Sequence, residues 1–431
     1  MNYKDFHIFE KLNEKIIFFP ESLSCYKLDE NSYNILKNYK KRNIDLPTEL
    51  KEFIENNRIK NSESINKEKI FYDNINFNTL VLNVVQECNM KCIYCFADNG
   101  TYGNTSIMKF ETVKLALEKL YNNKFDQLSI SFFGGEPLLN FKLIKEVVEY
   151  IEKNFDQKPS YNITTNGTLL NEETAKFLKK YNFKVMISID GNEEENNLLR
   201  PLKNNENSFR KIVNGIKLLE KFEIDYYTRI TVTKFNQEFD DFWKVYKFKN
   251  VVRAFVAPED YTLLPDLKKY NKKIESYVSG KDNTISEIIL SSIIVRKNRI
   301  KNKNQLKINC LGGVREISLS ADGNLYMCHR ATGIEKYYIG NIFKNTHDEI
   351  IKSAYNLFNK IMIGIENERC KKCWAKNLCG GGCHLKNDLQ KGYPKEIKNY
   401  FCELIKLEYE WAMVLLSKEI ANKETSNKVI I

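Results

Sequence analysis

Cys88-Asn89-Met90-Lys91-Cys92-Ile93-Tyr94-Cys95 is the stretch that decides how the rest of the chain is interpreted. It places three cysteines at C-x3-C-x2-C spacing shortly after a mostly apolar run, Leu80–Val85. Three thiolates suit a [4Fe–4S] cluster that normally takes four, which would leave the fourth iron open to a ligand that is not protein. A tetrahedral zinc site is the alternative, although structural zinc usually has four protein ligands. The three cysteines alone leave both interpretations open.

Size and composition describe a globular chain of more than one domain. At 431 residues, with 42% hydrophobic and 12% aromatic residues, the chain predicts two or three domains. No apolar run approaches the length of a membrane span. The charged start, Met1–Lys11, lacks the apolar core of a signal peptide, so we expect a cytoplasmic protein. The net charge is +11, but the lysines are dispersed and acidic residues number 56. This distribution favours a solvated basic surface over a nucleic-acid groove.

Cysteines divide the chain into two candidate metal-binding regions. In a cytoplasmic protein, clustered cysteines more often bind metal than form disulfides. Ten of the eleven fall into two groups: Cys88, Cys92 and Cys95, followed by Cys310, Cys328, Cys370, Cys373, Cys379, Cys383 and Cys402. The remaining one, Cys25, is expected to be a small buried apolar residue.

From Leu80 onward, strand and helix signals alternate. The strand candidates are Leu80–Val85, Gln127–Phe133, Tyr161–Thr165, Val185–Ile189, Tyr227–Val232 and Val251–Val256. The helical stretches are Lys109–Tyr121, Phe141–Asn154, Asn171–Tyr181 and Phe209–Phe222, and Gln237–Tyr246 continues the series. Six such units predict an α/β fold with a parallel sheet. An open or partial barrel fits them at least as well as a doubly wound sheet.

Polar motifs follow the ends of the predicted strands. Cys88 follows the first strand, Gly134–Glu136 the second, Asn166-Gly167 the third and Asp190 the fourth. Because the carboxyl ends of parallel strands meet at one edge, chemistry in barrels of this type lies there. The sequence therefore predicts one site that contains all these motifs.

The two ends of the chain have a different character. Residues 5–75 predict a small separate unit, with strands Phe6–Glu10, Lys15–Phe19 and Ser24–Leu28, helices Asp29–Lys41 and Leu46–Ile59, and a polar linker Asn61–Lys69. Leu263–Ile300 is predicted to be helical, and regular structure between Cys310 and Cys402 is predicted to be short. Within that region the turn Ala321-Asp322-Gly323-Asn324 predicts a hairpin of Ile317–Ser320 with Leu325–Met327. A terminal helix, Glu403–Glu419, and a polar tail, Ala421–Ile431, complete the chain.

The motif Cys88-x3-Cys92-x2-Cys95, with Phe96 and Gly134-Gly135-Glu136-Pro137, resembles the radical S-adenosylmethionine (SAM) superfamily. The resemblance implies a partial (β/α)6 barrel whose [4Fe–4S] cluster binds the amino and carboxylate groups of SAM at the open iron. One electron then cleaves the sulfonium, and the resulting 5′-deoxyadenosyl radical abstracts hydrogen. The cofactor carries this chemistry, and the protein positions and shields it. Zinc becomes the minority interpretation.

The resemblance also suggests which residues contact SAM. Gly134 and Gly135 have no Cβ and would allow the backbone to approach a ligand closely. Glu136 would bind the SAM ammonium, and Arg200 its carboxylate. Ser188 would reach a ribose hydroxyl. The remaining SAM contacts are expected to be Phe96, Asn166 and Asp190.

The loop that contains Arg200 departs from the family pattern in one respect. Leu199-Arg200-Pro201 and Asn207-Ser208-Phe209 resemble that pattern, but the glycines usual before the serine are replaced here by Asn204-Asn205-Glu206-Asn207. The shape of this loop is therefore less certain from the sequence than the fold.

The cysteine pattern of the C-terminal region is similar to the seven-cysteine SPASM extension of radical SAM peptide maturases. That resemblance implies two auxiliary [4Fe–4S] clusters. It assigns Cys370, Cys373, Cys379 and Cys402 to the second cluster and leaves Cys310, Cys328 and Cys383 for the first. Seven thiolates are one short of the eight that two fully ligated clusters require. We therefore expect an open iron on the first auxiliary cluster, available to a substrate thiolate or a small ligand.

The implied enzyme modifies a ribosomally made peptide and resembles the sactipeptide and ranthipeptide thioether synthases. In this reading a cysteine sulfur is joined to a carbon after hydrogen abstraction. His329, next to Cys328, either acts as a local acid or base or packs, and the sequence does not separate these roles. Other enzymatic outcomes are carbon–carbon or carbon–oxygen crosslinks and formylglycine-type oxidation. A zinc-dependent nucleic-acid binder is the non-enzymatic alternative.

This interpretation divides the chain into four parts. Residues 1–75 would be a winged-helix-like domain that binds the leader of a precursor peptide, with a purely packing subdomain as the alternative. Residues 76–305 would form the barrel, 306–415 the SPASM domain and 416–431 a tail. The expected partners are the precursor peptide and an external electron donor of the flavodoxin or ferredoxin type, and we expect neither nucleic acid nor a membrane.

Overall fold

The computed structural model describes residues 6–42, 45–57, 75–122, 127–238, 246, 248, 250–257, 260–281, 287–306, 308–365 and 368–423. The chain divides into two compact units. The first comprises Met1–Lys69, Asp266–Cys310 and Met362–Ile431, and the second comprises Ile70–Pro265 and Leu311–Ile361. Among the described residues, no helix has the length and apolar character needed to cross a bilayer.

The first unit begins with an antiparallel sheet of three strands in the order β1 (His7–Lys11), β2 (Glu14–Phe19) and β3 (Ser24–Lys27). Helices α1 (Glu30–Arg42) and α2 (Thr48–Asn57) follow. The central strand is apolar on both sides. Ile17 and Phe19 form a core with residues of both helices, whereas Ile16 and Phe18 are buried on the opposite face. The predicted strands and helices are confirmed, while the predicted linker lies outside the described residues.

The second unit contains a nine-stranded sheet, of which six strands are parallel neighbours in chain order. These are β4 (Thr79–Val85), β5 (Ser129–Gly134), β6 (Ser160–Thr165), β7 (Lys184–Ser188), β8 (Tyr226–Val232) and β9 (Val251–Phe255). The intervening helices are α3 (Phe110–Tyr121), α4 (Phe141–Asn154), α5 (Glu172–Lys180), α6 (Glu193–Leu199) and α7 (Ser208–Lys221). The predicted α/β alternation is confirmed. Helix α6 is additional, and the stretch Gln237–Tyr246 lies mostly outside the described residues.

The helices cover the sheet with residues at helical spacing. In α4, Ile144, Val147, Val148 and Ile151 are fully buried, and each such side chain contributes roughly 1.5–3 kcal/mol. Asn171 and Asn192 cap α5 and α6, and each accepts a hydrogen bond from a backbone N–H of the first turn. These helices therefore begin directly after the strand-end loops and hold those loops at one edge of the sheet.

The remaining elements follow the barrel in the sequence. They are α8 (Leu267–Val278), α9 (Glu287–Lys301), β10 (Glu316–Leu319), β11 (Asn324–Tyr326), β12 (Tyr338–Asn341), α10 (His347–Ile365), α11 (Glu368–Lys371), α12 (Lys376–Cys379), α13 (His384–Leu389) and α14 (Tyr400–Lys423). The predicted hairpin is confirmed as β10 and β11. The prediction of only short regular structure between Cys310 and Cys402 is wrong, because α10 has 19 residues. Its apolar residues Ile350, Ile351, Ala354 and Phe358 recur at helical spacing and are buried.

One pairing in the sheet was not expected from the sequence. Strand β10 lies beside β4 and runs parallel to it, with Glu316 opposite Thr79 and Leu319 opposite Leu82. Strands β11 and β12 continue the sheet in the antiparallel sense. Strand β4 is therefore an interior strand of the sheet. The segment with the three cysteines, residues 88–95, follows this interior strand, and we call it the cysteine loop.

Candidate active site at the carboxyl ends of the parallel strands

The cysteine loop starts three residues after β4 and keeps its thiols half-buried. The backbone N–H of Met90 donates to Sγ of Cys88 at 3.4 Å, and Cys95 N donates to Cys92 O at 3.0 Å. Burial raises the pKa of the Cys88 thiol to about 12 and that of Cys92 to about 11. Such thiols ionise readily only when a metal cation compensates their charge. The loop is therefore suited to metal binding.

The arrangement of these side chains differs from that of a mononuclear site. Among the residues that the structure describes, no three Cys, His, Asp or Glu side chains are placed to hold one metal ion. The thiolates of a [4Fe–4S] cluster each bind a different iron, so a cluster does not require that they converge on one point.

Glycines allow the loop after β5 to contact the cysteine loop. A Cβ on Gly135 would lie 2.1 Å from Glu87 O, and one on Gly134 would lie 2.3 Å from Val85 O. Gly134 also has φ +138°, which side chains rarely adopt. Gly135 N donates to Val85 O at 2.9 Å, and Glu136 N donates to Glu87 O at the same distance. The two glycines thus allow close packing against the backbone of residues 85–87, directly before the cysteine loop. This requirement for glycine was not apparent from the sequence.

Glu136 is fully buried between two strand ends. Its carboxylate accepts hydrogen bonds from Thr165 Oγ1 at 2.6 Å, Asn166 N at 2.7 Å and Leu138 N at 3.1 Å. Burial raises the pKa of Glu136, and these hydrogen bonds oppose that shift. A carboxylate accepts about four hydrogen bonds, and the described part of the chain supplies three of them to Glu136.

Asn166 connects the end of β6 to the cysteine loop. Its side-chain amide donates to Asn89 Oδ1 at 2.8 Å and lies 3.9 Å from Sγ of Cys88. Its oxygen accepts from both the backbone and the hydroxyl of Thr168. The amide of Asn166 therefore contacts the cysteine motif at two points, the side chain of Asn89 and the thiol of Cys88.

The Arg200 loop pairs with the cysteine loop through the backbone. Lys91 N donates to Pro201 O at 2.9 Å, Ile93 N to Leu199 O at 3.0 Å and Lys203 N to Asn89 O at 3.0 Å. The segment that replaces the usual glycines, Asn204-Asn205-Glu206-Asn207, does not prevent this pairing. Arg200 is consequently fixed next to the cysteines.

The side chains of Arg200, Tyr94 and Asp190 form a second set of contacts between the cysteine loop and the Arg200 loop. Arg200 Nη1 donates to the Tyr94 hydroxyl at 2.8 Å, and that hydroxyl also hydrogen-bonds Asp190 Oδ2. Asp190 is fully buried and lies 3.7 Å from Arg200, and its other oxygen accepts from Thr231 N at 2.7 Å. Protein groups therefore occupy both Asp190 oxygens, which supports a positioning role more than direct cofactor contact.

The free edge of Arg200 fits a carboxylate. Its Nε atom is buried and has no hydrogen-bond partner. Nε and Nη2 form the side of a guanidinium that binds a carboxylate through two hydrogen bonds. Because Tyr94 engages Nη1, this side of the guanidinium is the part of Arg200 that could bind a carboxylate.

The other predicted contacts lie on the same unit. Ser188 is half-buried at the end of β7, in register with Arg229 of β8. Phe96 is 39% exposed, and its ring centroid lies 6.5 Å from that of His329. His329 Nδ1 lies 3.0 Å from Glu316 Oε1, and the imidazole is 5.1 Å from the ring of Phe133. Burial opposes ionisation of Glu316, yet its hydrogen bonds with His329 lower the pKa of the carboxyl.

Sequence reasoning missed several residues of this site. Tyr94 lies between two cysteines of the motif, and the sequence assigned it no role. Glu316 lies just before the predicted strand Ile317–Ser320, and Arg229 lies inside the predicted strand Tyr227–Val232, on the less buried face of β8. Only long-range pairing brings them to the site, and local sequence does not encode that pairing.

The C-terminal cysteines are brought together in part. Burial raises the pKa of Cys379 to about 12, and Cys402, Cys373 and Cys370 all act on it electrostatically. These four are the set assigned to one auxiliary cluster. Asn309 N, next to Cys310, donates to Gly380 O at 2.9 Å, so Cys310 lies near the loop before Cys383. Cys328 belongs to the second unit.

Comparison with known proteins identifies two family domains in this chain. Residues 82–248 match the model of the radical SAM superfamily, and residues 310–374 match that of SPASM, an iron-sulfur cluster-binding domain. An uncharacterized protein of Methanocaldococcus jannaschii, MJ0907, is 38% identical over 201 residues, which is 45% of this chain and 68% of that protein. The cysteine-type anaerobic sulfatase-maturating enzyme of Clostridium perfringens is 28% identical over 355 residues, which is 75% of this chain and 93% of the enzyme.

A solved structure of a related enzyme also matches this chain. Native anSMEcpe with bound AdoMet has a TM-score of 0.64 and 25% identity, and the match covers 80% of this chain and 99% of that one. AdoMet is bound in that homologue, and both matched domains are those of [4Fe–4S] proteins. This chain therefore belongs to the radical SAM superfamily, as a SPASM-domain enzyme that uses SAM and [4Fe–4S] clusters to mature peptides or proteins.

Proposed function

We propose that this enzyme forms thioether crosslinks in a ribosomally synthesised peptide by joining a cysteine sulfur to a carbon. The cysteine count carries the proposal. Seven cysteines follow the barrel, whereas two fully ligated clusters require eight. With Cys370, Cys373, Cys379 and Cys402 assigned to one cluster, Cys310, Cys328 and Cys383 leave one iron of the other without a cysteine. A substrate thiolate is the ligand that would complete it.

Each residue of the site has a role in this proposal. Cys88, Cys92 and Cys95 would hold the SAM-binding cluster, which supplies a 5′-deoxyadenosyl radical for hydrogen abstraction when SAM is bound. Glu136 would accept a hydrogen bond from the SAM ammonium, and the free edge of Arg200 would bind its carboxylate. Tyr94 and Asp190 would orient Arg200, Gly134 and Gly135 would hold the loops together, and Ser188, Asn166 and Phe96 would line the cofactor site.

His329 is the residue best placed to move a proton. Its Nδ1 contacts the Glu316 carboxylate at 3.0 Å, so Nε2, at the other side of the ring, is not engaged by that carboxylate. A carboxylate that orients an imidazole and stabilises its charged form is a common arrangement for general base catalysis. His329 would accept the proton of the substrate thiol at Nε2.

The three-stranded sheet is proposed to bind the leader peptide. Among the described residues β3 pairs only with β2, so its other edge can accept an additional strand. Leu28 N donates towards β2, to Lys15 O. Since N–H groups alternate along an antiparallel strand, those of Cys25 and Lys27 face the open edge. Residues 1–75 would thus form the recognition domain, 76–305 the barrel, 306–415 the SPASM domain and 416–431 the tail.

The clusters also imply a cellular setting. Clustered cysteines that bind metal and do not form disulfides are typical of proteins in a reducing compartment. We place the enzyme in the cytoplasm, where a flavodoxin or ferredoxin would supply its electrons.

Formylglycine-type oxidation is the second candidate. It is favoured by the similarity to the cysteine-type sulfatase-maturating enzyme. The two reactions give different products, because thioether formation removes two hydrogen atoms and retains sulfur, whereas oxidation of cysteine to formylglycine removes sulfur. A crosslink between carbons, or between carbon and oxygen, would leave the cysteine thiols free.

Mass spectrometry of a co-expressed precursor peptide tests these outcomes. Anaerobic co-expression with the peptide encoded beside this gene, followed by alkylation, should give a peptide that has lost two hydrogen atoms and one alkylatable thiol per crosslink. Loss of sulfur would show the oxidation, and full alkylation with loss of hydrogen would show a crosslink that does not involve cysteine. Either result would contradict thioether formation.

A further inference from the structure

The three-stranded sheet of the first unit is apolar on both faces, and the proposed function uses only its edge. Ile17 and Phe19 pack with residues of α1 and α2. Ile16 and Phe18 point to the opposite face, which we call the second face, and are 1% and 0% exposed. Apolar side chains are this deeply buried only when another layer covers them. A further part of the first unit therefore supports the sheet on its second face.

Trp374 is one of the residues that cover the second face. Its ring lies parallel to the imidazole of His7, with 4.1 Å between the centroids and 6° between the planes. It also meets the ring of Phe18 edge-on, with the centroids 5.9 Å apart. His7 of β1 and Phe18 of β2 are opposite each other in the sheet register. Because such ring contacts stabilise a pair beyond the area they bury, Trp374 joins two strands to its own segment.

Polar contacts hold the same segment against the loop between β2 and β3. Asn377 Nδ2 donates to Pro20 O at 2.9 Å and to Glu21 Oε2 at 3.0 Å. Lys376 Nζ lies 2.7 Å from the other carboxylate oxygen of Glu21. This loop leads into β3, the strand proposed to receive the leader peptide. Residues 374–377 therefore contact both the second face of the sheet and the start of its edge strand.

Helix α14 supplies further contacts to the second face. Glu410 Oε1 lies 3.1 Å from His7 Nε2, and Glu410 Oε2 lies 3.3 Å from Lys11 Nζ. The Lys11 ammonium also lies 5.0 Å from the ring centroid of Trp411. The same helix carries Cys402 near its start. Two separate segments of the first unit thus hold β1 in place, and both contain cysteines.

The supporting residues are interspersed with the cysteines assigned to one auxiliary cluster. Trp374 directly follows Cys373, and Lys376 and Asn377 begin helix α12, which ends at Cys379. Helices α11 and α12 have four residues each, and helices this short are not stable in isolation. When cysteines bind metal, the free energy of binding contributes to folding of the segment that carries them. We call these residues the four-cysteine set: Cys370, Cys373, Cys379 and Cys402.

We propose that Trp374 makes the leader-binding sheet dependent on iron bound by the four-cysteine set. Ligated cysteines hold the short turns of residues 370–379 in place, and Trp374 transmits that order to the second face of the sheet. The edge of β3 then has the geometry that accepts an added strand. The proposal rests on the proposed function in one respect, that β3 binds the leader. Its consequence is that protein without iron in this set does not retain precursor peptide.

Amide hydrogen exchange followed by mass spectrometry tests this dependence without any peptide. Full-length protein is compared under anaerobic conditions, first loaded with iron and then after removal of iron by chelation. We expect peptides that contain β2 and β3 to exchange about 10-fold faster or more after chelation. C402A removes one member of the four-cysteine set and should show the same increase. If C402A does not fold, chelation of the wild type provides the same comparison.

C92A is the matched control for the loss of a cysteine ligand. Cys92 belongs to the proposed SAM-binding cluster and lies in the second unit. C92A should lose SAM binding but keep the wild-type exchange of β2 and β3. The comparison separates a local effect of the four-cysteine set from a general effect of losing a cluster.

Substitutions at Trp374 test the connection itself. W374A keeps every cysteine but removes the ring that contacts His7 and Phe18. At full iron loading it should exchange in β2 and β3 about 10-fold faster than wild type. W374F retains an aromatic ring and should recover most of the protection. SAM affinity should be unchanged in both variants, whereas affinity for the leader, measured by fluorescence anisotropy, should fall about 10-fold in W374A only.

Three results would overturn the proposal. Chelated wild type and C402A would keep the protection of the loaded protein, or C92A would lose as much protection as C402A, or W374A would exchange like wild type. Equal losses in W374A and W374F would likewise contradict a role for the aromatic stack. If the wild type does not bind the leader, the proposed recognition role fails, yet the exchange rates still decide whether the sheet depends on the four-cysteine set.

Discussion

Arg200 donates a 2.8 Å hydrogen bond to the hydroxyl of Tyr94, a residue inside the cysteine motif. The two are 106 residues apart in the sequence, and neither is a metal ligand. Through this contact the segment proposed to bind the cluster also sets the orientation of the arginine proposed to bind SAM. The backbone pairing of residues 89–93 with 199–203 supports the same geometry.

Removing the Tyr94 hydroxyl should weaken SAM binding. Y94F keeps the ring but frees Nη1 of Arg200, and a hydrogen bond to a charged group contributes roughly 1.5–3 kcal/mol. We expect the SAM dissociation constant of the oxidised holoenzyme to rise about 10-fold or more in equilibrium dialysis. Y161F, which removes a buried hydroxyl bonded to Glu152, is the control. Equal SAM affinity in Y94F and wild type would show that Tyr94 does not orient Arg200.

A side chain at Gly135 should disrupt the cysteine loop. The new Cβ of G135A would lie 2.1 Å from Glu87 O, so one of the two loops must move, at a cost of about 1–3 kcal/mol or more. We expect lower iron content after reconstitution and a lower thermal midpoint. G392A is the control, since nothing lies within 4 Å of a Cβ at that exposed glycine. Normal iron content in G135A would mean that close packing of these loops is dispensable.

Lys40 should make the free energy of unfolding depend on pH in the alkaline range. Its ammonium donates to Phe6 O at 2.8 Å, and burial lowers its pKa from the ordinary 10.5 to about 8. Between about pH 8 and 10.5, Lys40 is protonated in the unfolded chain but not in the folded protein. The free energy of unfolding therefore rises with pH over this range, and Lys40 adds no pH dependence below it. K40M should abolish that rise in thermal midpoint, while K37M, at an exposed position of the same helix, should retain it. Parallel profiles of K40M and wild type would contradict the assignment.

The open edge of β3 can be tested at Lys27. K27P removes an N–H that faces away from β2, and proline is tolerated on edge strands. We expect the affinity for the leader of the co-encoded precursor, measured by fluorescence anisotropy, to fall about 10-fold. K27Q removes the charge but keeps the N–H and should change affinity by less than about 3-fold. Similar losses in both variants would indicate charge recognition in place of strand addition.

The open auxiliary iron can be tested at Cys310. C310A removes a thiolate from the three-cysteine set and should abolish crosslinking, whereas SAM cleavage under reductant should remain measurable. C25A is the control, because Cys25 is a buried residue of β3 outside the three-cysteine set, and burial raises its pKa to about 12. Crosslinking by C310A at the wild-type rate would exclude the substrate-ligand hypothesis.

Periodicity and spacing predicted most of the fold because they are local properties. Within each strand and helix of the barrel, apolar residues recur at the spacing typical of that element. The polar motifs that follow the strands marked where the strands end. Helix α10 was missed although Ile350, Ile351, Ala354 and Phe358 carry a helical pattern, because the density of cysteines on both sides suggested irregular structure.

The site itself was only partly predictable. The cysteines, Glu136 and Arg200 were found from motifs. Their partners Thr165 and Tyr94 were not, because the hydrogen bonds that matter join residues far apart in the chain. The same limit applies to Glu316, which meets His329 only after β10 and β11 have folded back on each other.

The parallel pairing of β10 with β4 has a consequence for biosynthesis. Thr79 and its partner Glu316 are separated by about 240 residues, and ribosomes add about 5–20 residues per second. During translation one edge of β4 therefore stays without its strand for on the order of ten to fifty seconds. For that time the newly made half-barrel exposes an apolar edge beside three reduced cysteines, so protection of the nascent chain from aggregation and oxygen is needed well before the protein can meet any peptide.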